Sequence, residues 1–206
     1  MSRRQKTKSW LQQHKVDPYV VQATQVGYRS RAAYKLLQLN AKQSLFEWGR
    51  VVIDLGASPG GWSQVAKEEV GRDGLVVAVD LLPMVPIEGV EFIQGDFNDA
   101  GVAVAVREAL GGRQPEVVLS DMAPNISGIR VVDQARAMHL AELVLVFVKD
   151  VAAEGAICLV KVFQGQGVDS FRRDMERCFA KVSARKPKAS KDKSREYYLL
   201  GQGFNV

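Results

Sequence analysis

The sequence is poor in the residues that build metal centres and disulfide networks, and it has no long apolar run. Its two cysteines, Cys158 and Cys178, and its two histidines, His14 and His139, lack the spacing of a zinc site or a disulfide framework. We therefore expect reduced thiols, a cytoplasmic protein and no metal ion. The apolar runs are far shorter than the roughly 20 residues of a membrane span. The basic start MSRRQKTKSW is not followed by the apolar region of a signal peptide, so we expect no membrane association.

The 206 residues are 47% hydrophobic and 25% charged, which excludes a collagen, a disordered acidic chain and a coiled coil. Opposite charges are segregated along the chain. Residues 1–50 hold ten basic and two acidic side chains, and residues 171–195 hold ten and three, whereas residues 51–170 hold eight and seventeen. Two basic segments brought together by folding favour a nucleic-acid partner, although each alone is also typical of a solvated surface.

Apolar runs alternate with amphipathic segments after residue 29. This alternation predicts an α/β domain with a mainly parallel sheet and helices on both faces. The predicted strands are 51–55, 75–80, 90–96, 116–121, 156–163 and 196–204, and the predicted helices are 30–39, 62–70, 102–110, 132–153 and 168–179. We expect one domain over residues 29–206, preceded by a basic N-terminal arm, residues 1–28, without a clear period.

Reactive side chains stand at the ends of the predicted strands: Asp54, Asp80, Asp96, Asp121 and Lys161. In parallel α/β sheets, ligands bind beyond the carboxyl ends of the strands. One acid at such a place is unremarkable, but several at successive strand ends indicate a binding crevice.

The loop DLGASPGGW after the first strand indicates a site for a small ligand, because its glycines let a ligand approach the backbone. Ser58 and Pro59 depart from the dinucleotide-binding pattern, which weakens a nicotinamide cofactor as the ligand. Asp80 is placed to bind ribose hydroxyls and Asp96 to accept from an adenine amino group, so we expect a nucleoside. A tight turn beside two exposed acids is the alternative.

These motifs together resemble a known family. DLGASPGGW, AVDLLPM, QGDF, SDMAPNISG, LVKVFQG and SREYYLL resemble the FtsJ/RrmJ family of S-adenosylmethionine-dependent ribose 2'-O-methyltransferases, from Tyr28 to Glu196. The resemblance implies a Rossmann-like methyltransferase fold with a seven-stranded sheet. It also implies a catalytic set, Lys35, Asp121, Lys161 and Glu196, and cofactor-binding residues, Gly60, Trp62, Asp80, Asp96 and Asp121.

The resemblance further implies the reaction. We expect methyl transfer from S-adenosylmethionine to the 2'-hydroxyl of a uridine in the A-loop of 23S ribosomal RNA, on the assembled large subunit, by a monomer that does not act on DNA. The segment from Asp121 to Asn125 lacks the paired prolines and aromatic residue typical of nucleobase amino methyltransferases, which by family analogy favours an oxygen acceptor.

A ribose hydroxyl is a poor nucleophile, so the site must align it and help to remove its proton. We expect Lys161 to be the general base or to position the hydroxyl, and Asp121 to orient Lys161. Lys35 and Glu196 would complete the site and hold the ribose. Taken singly, Lys161 and Glu196 are more typical of strand-end charges that reach water than of catalytic residues; together with the glycine-rich loop they favour catalysis.

For the RNA we predict an electropositive groove. The N-terminal arm and the helix around Arg29, Arg31 and Lys35 would form one side, and a basic loop the other, through Arg185, Lys186, Lys188, Lys191 and Lys193. Tyr19, Tyr28 and Tyr34 are candidates for stacking on an unpaired base, and core packing is the alternative. His139 is expected to be structural. A nucleotide-dependent dehydrogenase and a non-enzymatic ribosome-assembly factor are the competing functions.

Overall fold

The computed structural model of the protein describes residues 17–191 and 193–205. The helices are α1 (Pro18–Val26), α2 (Ala33–Gln43), α3 (Gly61–Val70), α4 (Ala100–Leu110), α5 (Arg130–Val151) and α6 (Val168–Glu176). The strands are β1 (Val51–Leu55), β2 (Leu75–Asp80), β3 (Val90–Gln94), β4 (Val117–Ser120), β5 (Ile157–Phe163), β6 (Phe179–Arg185) and β7 (Glu196–Phe204).

The strands form one seven-stranded sheet in the order β3-β2-β1-β4-β5-β7-β6. Five strands are parallel, and β7 runs antiparallel to both of its neighbours. The chain order reverses between β1 and β4, which opens a crevice at the carboxyl ends of these strands. The predicted α/β fold with a mainly parallel seven-stranded sheet is confirmed.

Helices cover both faces of the sheet, which explains why its central strands are mainly apolar. On one face, Leu36 of α2 and Trp62 and Val65 of α3 pack against β1, β4 and β7. On the other face, Val144 of α5 and Phe171 of α6 belong to the larger core cluster. Each fully buried side chain of this size stabilises the fold by roughly 1.5–3 kcal/mol.

Helix α1 lies inside residues 1–28, which we expected to be a basic N-terminal arm and in which no clear period predicted a helix. Asp17 caps this helix by accepting a hydrogen bond from the backbone N–H of Tyr19 at 3.0 Å, and Pro18 occupies its first turn. Ala23 is the only buried residue of α1, so the helix shows almost no apolar periodicity in the sequence. The first sixteen residues of the predicted arm, including His14, lie outside the described residues.

The C-terminal hairpin also departs from the expectation. The helix predicted over 168–179 ends at Glu176, and Phe179 begins β6 instead. Strand β6 is the sheet edge and only Phe179 in it is buried, so its basic sequence lacks the apolar run of a central strand.

The cysteine thiols are unpaired and buried, and burial raises the pKa of Cys158 to about 12. Within residues 17–191 and 193–205, no helix has the length and apolar character to cross a membrane. The same residues contain no cluster of three or more histidine, cysteine or acidic side chains that could hold a metal ion.

Candidate active site

Four charged side chains meet at the carboxyl edge of the sheet, and they are the four that the sequence predicted as a catalytic set. Asp121 directly follows β4, Lys161 lies in β5, Glu196 begins β7 and Lys35 lies on α2. Nζ of Lys161 is 3.1 Å from Oδ1 of Asp121, and it also donates to the backbone carbonyl of Asp121. Nζ of Lys35 is 2.8 Å from Oε1 of Glu196 and 3.8 Å from Oδ1 of Asp121.

Tyr198 belongs to the same cluster, and our sequence reasoning missed it. It pairs directly with Lys161 across β5 and β7, and its hydroxyl donates to Oδ1 of Asp121 at 2.6 Å. The Nζ of Lys35 lies 5.9 Å from the centre of its ring. Burial, helped by the negative charge of Asp121, raises the pKa of Tyr198, so the hydroxyl keeps its proton and remains a donor. The sequence does carry a signal for Tyr198: side chains alternate along a strand with a period of two, which places Tyr198 on the same face as Glu196.

The cluster is electrostatically balanced, with two ammonium groups facing two carboxylates. Lys35 and Lys161 are each only 9% exposed, so neither charge is solvated as it would be at the surface. Burial by itself would raise the pKa of Glu196, but the ion pair with Lys35 and the nearby charge of Lys161 outweigh it and hold that pKa below its ordinary value. Glu196 is therefore an acceptor at neutral pH.

A cavity of about 540 Å³ opens beside this cluster, and Asp80, Asp96 and Asp121 all line it. Asp80 accepts backbone hydrogen bonds from Ser58 at 2.8 Å and Leu82 at 2.7 Å. Both hydrogen bonds received by Asp96 reach its Oδ1 atom, from Asn98, so its Oδ2 atom is available to a ligand. A carboxylate offers about four acceptor positions, so Asp80 also retains capacity. The volume and the mixed lining suit a nucleoside.

Gly60 and Trp62 do not line this cavity. Gly60 has a φ of +109°, and a Cβ there would lie 2.8 Å from both Met84 and Ile87, so a side chain at this position would displace the loop after β2. Trp62 is buried, and its indole N–H donates to the carbonyl of Ala32 at 2.8 Å. In the described structure both residues shape the loop and the helix behind the cavity.

Asp54, which we expected among the reactive groups at the strand ends, does not face the crevice. It is fully buried under α3, where its Oδ2 atom accepts from Ser63 at 2.7 Å and its Oδ1 atom has no hydrogen-bond partner. Burial raises the pKa of Asp54 to about 7, and the Ser63 hydrogen bond only partly offsets this effect. Asp54 points away from the crevice because it lies within β1 and not after the end of the strand.

Two arginines predicted for the groove bind other parts of the protein instead. Arg29 donates to the carbonyls of Pro86, at 2.7 Å, and of Val85. Arg31 forms an ion pair with Asp17 and donates to the carbonyl of Ala189. Both guanidinium groups therefore fasten the segment before α2, and neither is a free phosphate ligand.

The basic loop lies next to that segment, as the predicted groove requires. Gln38 of α2 accepts from the N–H of Ala189 at 2.9 Å, which joins α2 to the loop. Four lysines of the loop are exposed, and none of the four forms an ion pair within the described residues. They are Lys186, Lys188, Lys191 and Lys193.

The three tyrosines proposed for base stacking pack on one another. The ring centres of Tyr19 and Tyr28 lie 5.6 and 5.9 Å from that of Tyr34. Tyr34 is buried, so core packing is its role. His139, in contrast, is not part of the core: it is exposed on α5 and lines the cavity. We expected His139 to be structural, and its exposure shows that it does not pack in the core.

A family model for FtsJ-like methyltransferases matches residues 28–204. The chain belongs to the FtsJ-like methyltransferase family. A protein of Alkalilimnicola ehrlichii named ribosomal RNA large subunit methyltransferase E is 53% identical over 204 residues, covering 99% of this chain and 98% of the relative. A protein of the same name from Azoarcus sp. is 50% identical over 201 residues, covering 98% of each chain.

The fold is shared with a solved structure as well. A crystal structure described as a ribosomal RNA methyltransferase from Plasmodium falciparum superposes with a TM-score of 0.78 at 29% identity, covering 86% of this chain and 98% of the other. The family resemblance seen in the motifs is thus confirmed, and the protein is a methyltransferase. Membership of this FtsJ-like family implies a bound methyl donor and disfavours a dehydrogenase.

Proposed function

We propose that this FtsJ-like protein methylates the 2'-hydroxyl of a uridine in the A-loop of 23S ribosomal RNA, with S-adenosylmethionine as the donor and the assembled large subunit as the substrate. The observation that carries the proposal is the joining of Lys35, Asp121, Lys161 and Glu196 at the mouth of a nucleoside-sized cavity. The printed names of the relatives support ribosomal RNA as the acceptor.

The donor belongs in the cavity of about 540 Å³. Asp80 would hold the ribose hydroxyls, Oδ2 of Asp96 would accept from the adenine amino group, and Asp121 would lie beside the methyl group. Gly60 and Trp62 would act through the loop and helix that they shape. When bound, S-adenosylmethionine supplies a methyl carbon made electrophilic by its sulfonium.

Lys161 acts on the acceptor. Its Nζ atom is fixed by two oxygens of Asp121, which leaves one direction for the 2'-hydroxyl. To act as the base, Lys161 must first have released its ammonium proton to water; its neutral Nζ would then accept the hydroxyl proton while the 2'-oxygen takes the methyl group and the donor's sulfur leaves as a thioether. Asp121 would stabilise the resulting ammonium group. Lys35, held by Glu196, would orient the ribose towards the methyl donor.

The proposed reaction also implies where the enzyme works and which partners it needs. We expect the enzyme to work in the bacterial cytoplasm as a monomer, on ribosomal RNA and not on DNA, without a metal ion or a membrane. We assign the chemistry to one methyltransferase domain, residues 29–206, and part of the RNA affinity to the arm of residues 1–28. The exposed lysines of residues 186–193 would contact phosphates on the other side of the site.

Transfer of labelled methyl groups tests the proposal. Large subunits from cells lacking the activity, and naked 23S RNA beside them, are incubated with the enzyme and labelled S-adenosylmethionine, and the RNA is digested to nucleosides. We expect the label in 2'-O-methyluridine, with subunits the better substrate. Lys161→Ala should lose this activity, whereas Lys149→Ala, an exposed lysine at the end of α5, should keep it.

Other outcomes separate the alternatives. Label in a different nucleoside would refute the assigned acceptor. Tight binding of S-adenosylhomocysteine with no label on either RNA would refute the enzymatic proposal and favour an assembly factor that retains the cofactor fold.

A further inference from the structure

A second cavity, of about 580 Å³, lies between the start of α5 and the loop 164–167 that follows β5. Arg130, Ala135 and Met138 of α5 line one side, and Gly165 and Gly167 line the other. Arg195 closes it next to Glu196, and His139 lines both this cavity and the cofactor cavity. The second cavity therefore shares His139 with the first cavity and reaches the residue that precedes Glu196 in the chain.

The walls of this second cavity are held in place by packing and hydrogen bonds. Gln134, 8% exposed, donates from Nε2 to the carbonyls of Phe163 and Gln166, both at 3.0 Å. A Cβ on Gly165 would lie 2.7 Å from the amide of Gln134, so only glycine allows the loop this close to α5. The loop is also held to Arg195, because the backbone N–H of Gln164 donates to the backbone carbonyl of Arg195 at 2.9 Å.

The chemistry of the lining suits a nucleotide. Arg130 and Arg195 form no ion pair within the described residues. One nitrogen of Arg195 donates to the carbonyl of Gln164 at 3.3 Å, which leaves its other N–H donors for a phosphate, and guanidinium groups bind phosphate with a planar pair of donors. Met138 and Ala135 offer apolar contacts to a ring, and Glu142 offers an acceptor for a base amino group. A bare phosphate would need neither the apolar wall nor the carboxylate.

From these contacts we infer that the second cavity binds a nucleotide of the substrate RNA adjacent to the methylated one. The inference rests on the proposed function, since a neighbouring nucleotide has meaning only if RNA is the acceptor. The splayed neighbour would place its phosphate between Arg130 and Arg195 and its base against α5, which would add to the affinity for the RNA.

Two substitutions test this inference. Ala135→Trp fills the cavity from an exposed position on α5, and Arg130→Ala removes a phosphate ligand without filling it. Val146→Trp, at another exposed position of the same helix, is the matched control. Stacked bases contribute roughly tenfold or more to affinity, so we expect both cavity variants to raise the KM for large subunits about tenfold. The kcat and the affinity for S-adenosylhomocysteine should stay within twofold.

The possible results are decisive in either direction. An unchanged KM in both variants, or an equal rise for Val146→Trp, would overturn the inference. A fall in kcat alone would mean that the substitutions disturb the catalytic cluster and would also overturn it. Affinity for naked 23S RNA should fall in parallel; a loss confined to whole subunits would assign the cavity to a ribosomal protein instead. If the wild-type protein methylates no RNA, the proposed function itself fails.

Discussion

Replacing Asp54 with asparagine should change the pH dependence of stability in a way that its burial predicts. The carboxyl group is fully buried, and its pKa is raised from 3.8 to about 7. The folded state therefore holds a proton that the unfolded state releases between these two pH values. For this group, the free energy of unfolding is highest in acid and falls as the pH rises towards 7.

The size of the effect follows from the two pKa values. Each tenfold difference in proton affinity corresponds to 1.36 kcal/mol, so ionising Asp54 in the folded protein costs about 4 kcal/mol at pH 8. By pH 5 only about 1.5 kcal/mol of this cost is already present. Asparagine keeps an acceptor for Ser63 and carries no charge. The Asp54→Asn variant should therefore gain about 3 kcal/mol relative to wild type between pH 5 and pH 8.

Urea denaturation at the two pH values measures this change. The comparison uses the difference between variant and wild type, so all other titrating groups cancel. Glu108→Gln, at an exposed carboxyl group on α4, is the control and should show no pH-dependent difference. An Asp54→Asn difference that is equal at pH 5 and pH 8 would show that Asp54 does not titrate in this range and would refute the argument.

Three further results are expected. Tyr198→Phe removes the 2.6 Å hydrogen bond to Asp121, so kcat should fall about tenfold with little change in S-adenosylhomocysteine affinity; an unchanged kcat would mean that Lys161 alone orients Asp121. Asp96→Ala should weaken S-adenosylhomocysteine about tenfold by calorimetry, and equal affinity would exclude Asp96 as a ligand. Affinity for 23S RNA should fall about 10²-fold between 50 and 200 mM salt if some five basic groups bind phosphates, whereas a flat titration would argue against the basic loop as the interface.

The central strands could be predicted from the sequence because burial on both faces leaves predominantly apolar runs, as in VVIDL of β1 and LVVAVD of β2, each with a single aspartate. The edge strand β6 and helix α1 could not. One basic strand with a single buried residue, and one helix anchored by Ala23 alone, carry little periodicity. Asp17 and Pro18 are a sequence signal for the start of α1, but no apolar stripe follows them to support the prediction of a helix.

The four charged residues of the cluster were expected from the family resemblance, and three of them, Asp121, Lys161 and Glu196, also stand at or near the ends of predicted strands. Tyr198, the fifth member, was missed. The partners of the arginines could not be predicted. Arg31 reaches Asp17 and Ala189, which are 14 and 158 residues away, and no local pattern encodes such contacts. Likewise, Asp54 and Asp80 look alike as strand-end acids, and only the pleat of β1 turns the first one inward.

The reversal of β7 has a consequence for the order in which the protein is made. Because β7 is antiparallel to β5, its first residue, Glu196, lies opposite Phe163, and Tyr198 lies opposite Lys161. A parallel β7 would carry Glu196 to the other edge of the sheet. Strand β6 pairs with β7 alone and is synthesised before it. A growing chain therefore has neither its edge strand in place nor a complete charged cluster until residues 196–204 have left the ribosome.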